Sequence, residues 1–198
     1  MELDPWTDDV YQALIGVVTP RPIAWVTTIS HAGVVNLAPY SFFNVFGGQP
    51  AIVAFSPALK MDGSKKDTLR NIEANGEFVI NTATSELAAQ VNLSSTALDY
   101  EDSEVTLTGL TTLPSVKVKP PRIQESPAHL ECVLRQLLSF GTHPGAPTMV
   151  IGQVVRIHIA DDALTDGLPD PRKLRTIGRL GQNYWCHTSG LFEQPRPS

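Results

Sequence analysis

Cysteine is scarce: Cys132 and Cys186 are the two in 198 residues, far apart and outside any CxxC spacing. That excludes a disulfide framework and a structural zinc site, and leaves two plain core or surface thiols. Five histidines, at 31, 129, 143, 158 and 187, show no HExxH spacing, so no metal site is legible either. Cys186 beside His187 resembles a thiol with its base, but neighbours on a strand point to opposite faces and cannot easily share a proton. Basic charge is also short: 15 Lys and Arg against 20 Asp and Glu leave a net charge of -5, no electrostatic footprint for nucleic acid or an anionic membrane. No apolar run is long enough to span a bilayer. The opening Met1-Glu2-Leu3-Asp4-Pro5-Trp6 lacks the basic start and apolar core of a signal peptide, so the cytoplasm is the expected compartment. GxGxxG, GxxxxGK[ST] and GxSxG are all missing, which removes support for standard dinucleotide folds, P-loops and serine hydrolases.

What is present is a globular balance, 42% hydrophobic and 18% charged. The length predicts one domain over residues 1–198, with a frayed tail from Glu193 to Ser198. Runs rich in Val, Ile, Thr and Phe recur between Gly, Pro and Asn: Ile23 to Ile29, Ala51 to Phe55, Phe78 to Asn81, His129 to Leu138 and Thr148 to Ile159. They predict a mostly antiparallel sheet. His31-Ala32-Gly33 supplies a turn, after which the chain re-extends from Val34 to Asn44 as a hairpin. Helices are predicted near Asp9 to Val17, from a cap at Asp67 or Thr68 to a stop at Asn75-Gly76, and from Ser85 to Asn92. Thr106 to Pro127, rich in Thr and Pro, predicts a long ordered excursion outside the sheet, and Asp161 to Arg172 repeats that pattern.

A chain without acid, base or nucleophile machinery is what a cofactor-dependent protein shows, because the cofactor carries the chemistry while the protein positions it. Three blocks bear on this. Pro20-Arg21-Pro22-Ile23-Ala24-Trp25-Val26-Thr27-Thr28 is followed by Asn36-Leu37-Ala38-Pro39-Tyr40-Ser41-Phe42-Phe43-Asn44; then comes Ser64-Lys65-Lys66-Asp67-Thr68-Leu69-Arg70-Asn71-Ile72. The third block comprises Pro120-Pro121-Arg122-Ile123, Glu125-Ser126-Pro127 and Leu130-Glu131-Cys132, with Arg179-Leu180-Gly181-Gln182-Asn183-Tyr184-Trp185 closing it. On these residues the chain resembles the longer-chain branch of the flavin reductase-like family, which includes flavoredoxins and reductase components of two-component monooxygenases.

The resemblance implies an antiparallel, Greek-key-like FMN-binding split β-barrel with peripheral helices. It implies that Ser41, Phe42, Phe43 and Asn44 lie along the isoalloxazine, with Thr27, Ala38 and Ser56 as further cofactor contacts. It implies that Lys65, Lys66 and Thr68 grip the FMN phosphate and that Arg179 meets the phosphate or the pyrimidine edge. A homodimer, NAD(P)H as electron donor and a partner monooxygenase or redox protein are implied with it. The residues by themselves also allow Tyr40, Phe42 and Phe43 to be core and the lysines to be solvated. Arg122 and Glu131 are expected as a structural pair. Two other functions stay open: an FMN electron carrier similar to flavoredoxin that makes no direct use of NAD(P)H, and a barrel that binds a small molecule without redox chemistry.

Overall fold

The computed structural model describes residues 2–197. Its main sheet has seven strands: β1 (Ala24–Ile29), β2 (Val35–Tyr40), β3 (Phe43–Gly48), β4 (Ala51–Phe55), β5 (Glu77–Thr82), β6 (Ala128–Ser139) and β7 (Thr148–Ile159). Neighbours are antiparallel throughout, in the order β2-β1-β5-β6-β7-β4-β3. The two edge strands, β2 and β3, are consecutive in the chain and joined by Ser41 and Phe42 alone. A flat sheet would hold its edges about 29 Å apart at about 4.8 Å per strand, while the chain from Tyr40 to Phe43 reaches roughly 10 Å at most. The sheet therefore curls until its edges nearly meet at that corner without pairing, which is a split barrel.

Side-chain alternation sorts the strands into an inside and an outside. Ala24 and Val26 of β1 and Tyr40 of β2 join Val53, Phe55, Phe78, Ile80, Cys132 and Val150 in the barrel core. Helix α2 (Asp67–Asn75) adds Leu69 and Ile72 to that core and ends at Gly76, whose φ of 70° is the left-handed stop expected of glycine. Trp25 and Leu37 point the other way into a second cluster with Leu87, Val91, Val105 and Ile177, covered by α3 (Ala88–Leu93) and α4 (Glu104–Thr108). Both faces of β1 are thereby buried. A short separate sheet pairs Arg21–Pro22 with Ile177–Arg179, and that strand with Trp185–His187.

The predicted strands hold within a residue or two; the helix expected from Ser85 begins only at Ala88, and four further differences stand out. Val34 to Asn44 is not one extended segment, because the chain leaves β2 at Ser41 and crosses to the opposite edge. The N-cap of α2 is Lys66, whose side chain makes no capping bond, and Asp67 is already helical. The Thr106 to Pro127 excursion overlaps α4 and holds a small hairpin, Thr112–Leu113 with Arg122–Ile123. Asp161 to Arg172 likewise carries a small hairpin, Leu164–Thr165 with Leu168–Pro169, and enters α5 (Pro171–Leu174). The N-terminal helix α1 covers Tyr11–Val17. No described helix is long and apolar enough to cross a membrane.

Candidate functional site

The edge of β2 is covered over only part of its length. Ser103 donates to the carbonyl of Val35 at 2.5 Å, and the Glu104 carboxylate accepts from the Leu37 amide at 2.9 Å. Outward-facing backbone groups alternate along an edge strand, so the next outward positions are Pro39 and Ser41. Pro39 has no amide hydrogen to leave unpaired. The cover stops there and a cleft begins.

Two adjoining cavities of about 150 and 200 Å3, sharing Pro39 and Ser95, make up that cleft. Neither alone reaches the roughly 300 Å3 of a typical small-molecule site, and joined they pass it. One wall is β2 from Asn36 to Tyr40, continued by Ser41; the other is the segment from Ser94 to Leu98 after α3. That second wall is pinned: Trp25 Nε1 donates to Ser94 Oγ at 2.9 Å, and Tyr100 donates to Asn71 at 2.7 Å.

One end of the cleft is built to meet an anion. Tyr40 and Asn36 both donate to Thr68 Oγ1, at 2.9 and 2.8 Å, so the Thr68 hydroxyl accepts twice and keeps its own proton to give. Because Lys66 makes no side-chain cap, the first-turn amides of α2 also stand free, at the positive end of the helix dipole. Lys66 and Lys60 line this end. Lys60 is 3.7 Å from Asp67, which also meets Arg70, whereas none of the ion pairs among the described residues includes Lys66. Its pKa is lowered, by desolvation first and by the neighbouring Lys60 second, although the residue as a whole is surface-exposed. Burial holds the Tyr40 hydroxyl well above its usual range, so it stays a donor. Burial likewise raises the pKa of Glu104, against the pull of the Leu37 amide.

At the other end, Ile23, Val91, Asn92, Ser41, Arg179 and Trp185 surround the cavity. The Arg179 guanidinium lies 5.0 Å from the centre of the Trp185 ring. This end mixes apolar Ile23, Val91 and Trp185 with polar Ser41 and Asn92, and sets a cation above an aromatic face.

Of the residues singled out from sequence, Ala38, Ser41, Lys66, Thr68 and Arg179 come together around the cleft. Phe42, Phe43, Asn44 and Ser56 lie just beyond Ser41, across the corner from β2 to β3. Ser56 donates its amide to the Phe42 carbonyl at 2.9 Å, Asn44 is exposed, and Phe43 packs half-buried on the barrel core. Two candidates stand apart. Thr27 is buried on β1 and donates to the Pro121 carbonyl at 2.6 Å, while Lys65 is engaged by Glu73 at 2.7 Å. Arg122 and Glu131 are not a pair. Arg122 donates to the Pro114 carbonyl, while Glu131 accepts from His158 at 2.5 Å and from the amides of Val116 and Lys117.

Sequence reasoning missed Lys60, Glu104 and the Ser94 to Leu98 wall. Lys60 lies outside any motif, and Glu104 opens a short helix in a stretch to which the sequence assigns no element. The Ser94 wall carries only small polar residues, whose role comes from Trp25 behind them.

A split barrel with an anion-ready helix start beside a half-uncovered strand edge defines a class of ligand-binding β proteins. The comparisons narrow it. A model of the flavin reductase like domain matches residues 17–178, and the chain belongs to that family. It is 43% identical over 190 residues to an uncharacterised protein of Halalkalibacterium halodurans, covering 95% of this chain and 91% of the other. Nitrilotriacetate monooxygenase component B from Bacillus cereus superposes with a TM-score of 0.92 at 32% identity, over 98% of each chain. The 2-nitrobenzoate 2-nitroreductase of Pseudomonas fluorescens gives 0.84 at 28% identity, over 100% of this chain and 97% of that one.

Proposed function

We propose that the cleft binds FMN and that the protein is an NAD(P)H-dependent flavin oxidoreductase, read as a single flavin-binding unit. The observation that carries this reading is the doubly accepting Thr68 hydroxyl beside Lys66 at an uncapped helix start, next to the open Pro39 to Ser41 edge. A phosphate dianion needs donors and cations, and that end supplies both. A flavin ring needs apolar and aromatic surface beside a few polar groups, and the end with Ile23, Val91 and Trp185 next to Ser41 and Arg179 offers both. The residues present therefore fit the cofactor.

FMN, when bound, supplies the hydride and electron chemistry. The chain's contribution would be geometric and electrostatic: Thr68 would donate a hydrogen bond to the phosphate and Lys66 would offset part of its charge, Pro39 and Ser41 would line the ring edge, and Arg179 would place positive charge beside it. By holding a nicotinamide beside the bound flavin, these residues would replace a bimolecular encounter with an oriented one. A homodimer with the flavin at its interface is part of the reading. It is supported by the exposed Val45 and Phe46, apolar side chains on β3, the strand that Phe42 leads into. A partner oxygenase supplied with reduced flavin fits the similarity to a monooxygenase component B.

The second reading, an FMN electron carrier that does not take hydride from NAD(P)H, is favoured by Phe42, a bulky, half-exposed ring next to the cleft residue Ser41 that would crowd a nicotinamide there. Anaerobic stopped-flow mixing of the FMN-loaded protein with NADH or NADPH separates the two. Bleaching of the flavin band at catalytic rates by either nucleotide is expected. A flavin that stays oxidised with both, yet is reduced by dithionite, sinks the reductase reading and leaves the carrier.

A further inference from the structure

Arg21 is buried, with 7% of its surface exposed, and no ion pair among the described residues includes it. A buried cation without a carboxylate is costly, so its hydrogen bonds say what it is for. One terminal nitrogen donates to the carbonyls of Ile15 and Val18 at the end of α1, at 2.6 and 2.8 Å. The other donates to the Leu180 carbonyl at 2.9 Å. One planar fork thus ties the last turn of α1 to the residue after Arg179. The joint is tight from a second side as well: a Cβ on Gly181 would come within 3.2 Å of the Gly16 Cα, so the turn rests directly on the helix backbone.

The strand register adds electrostatics. Arg21 pairs with Arg179, and Arg179 pairs with Trp185, so the three side chains form one row across one face of the small sheet. Like charges directly opposite repel. Arg21 is fixed by three carbonyls and cannot yield. Arg179 has only a long bond to the Tyr184 carbonyl, 3.3 Å, and it lies over Trp185 in the cleft wall.

We propose that Arg21 is a positioning residue: by clasping α1 to the Leu180 turn and repelling its cross-strand neighbour, it sets the Arg179 guanidinium over Trp185 at the ring end of the cleft. The proposal rests on the FMN reading for its purpose, though its geometry stands without a ligand. Lysine is a poor substitute, because its single ammonium nitrogen cannot occupy both positions from which the two terminal nitrogens of Arg21 donate.

The test uses Arg21→Gln, Arg21→Lys, Arg179→Gln and the double Arg21→Gln/Arg179→Gln variant, with FMN affinity read by flavin fluorescence. Each single variant is expected to weaken FMN about tenfold, and the double variant no further than either, because both changes remove one arrangement. Arg21→Lys is expected to behave like Arg21→Gln. In the ligand-free protein, Trp185 emission, identified by difference from Trp185→Phe, is expected to shift equally in Arg21→Gln and Arg179→Gln. Gly181→Ala, which pushes the turn off α1 while keeping both arginines, is expected to shift it the same way and decides the matter if Arg21→Gln does not fold. Multiplying effects in the double variant, a wild-type Arg21→Lys, or a lowered melting temperature with unchanged FMN affinity and Trp185 emission would overturn the proposal. A wild-type protein that binds no FMN would defeat the functional reading alone, and the Trp185 signal would still judge the clasp.

Discussion

Replacing Lys66 by Met and Thr68 by Val removes the anion end of the cleft while leaving the ring end intact. Charge-assisted hydrogen bonds are worth roughly 1.5 to 3 kcal/mol each, so the Thr68 proton and the Lys66 ammonium are together worth about 3 kcal/mol at the low end. Lys66 is an exposed residue, and water takes back part of its share. About 1.4 kcal/mol is the cautious remainder, a factor of ten in affinity. The double variant is therefore expected to bind FMN at least tenfold more weakly in a fluorescence titration and riboflavin about as before. Thr68→Ser keeps the hydroxyl that accepts from Tyr40 and Asn36 and is expected to stay near wild type. Lys65→Ala is expected to change little, because Glu73 already holds that ammonium. Equal weakening of both flavins would refute the reasoning: the turn would then support the fold and not the phosphate.

Three more outcomes follow from the packing. Gly152→Ala places a Cβ 2.4 Å from the Phe78 ring, so it is expected to cost about 1 to 3 kcal/mol in urea unfolding, with Phe78→Leu restoring part of the loss. The Glu131 carboxyl is pushed up by desolvation, but the Val116 and Lys117 amides and His158 outweigh this and hold it below its usual value. Its stabilising effect is therefore present above an unfolded-state pKa of about 4.5 and disappears as pH falls through the lower folded value. Glu131→Gln is expected to lower the melting temperature at pH 7, with the gap to wild type closing as the pH is lowered below that point; a gap independent of pH would refute the assignment. Cys132→Ser and Cys186→Ser are expected to leave turnover per bound flavin nearly intact, since burial pushes the Cys132 thiol up and His187 is bonded to Ser85 at 2.8 Å.

The strands were legible because burial imposes period-two or continuous apolar runs; Thr148–Ile159 was read to the residue. The Gly76 stop was legible because few residues other than glycine accept that conformation. The break at Ser41 was not. Nothing in Tyr40-Ser41-Phe42-Phe43 marks a crossing between sheet edges, since that crossing is a consequence of closure involving all seven strands. Helix α4 was hidden because Glu-Val-Thr-Leu-Thr is short and poor in helix formers, and it is held by the contacts that Ser103 and Glu104 make with β2. At the site, Lys66 and Thr68 could be found from the motif, whereas the separation of Lys65 from Lys66 depends on Glu73 lying within ion-pair reach of Lys65. Arg21 was visible within a motif, yet its role needed the register that sets it against Arg179.

The central claim is that this cleft holds one FMN per chain. Titrating the ligand-free protein at a concentration well above the dissociation constant, with flavin fluorescence as the signal, measures that number directly. The account predicts a sharp break at one FMN per chain, with size-exclusion chromatography of the same sample showing a dimer. A fluorescence signal that rises in parallel with free FMN, with no break at any ratio, would contradict it.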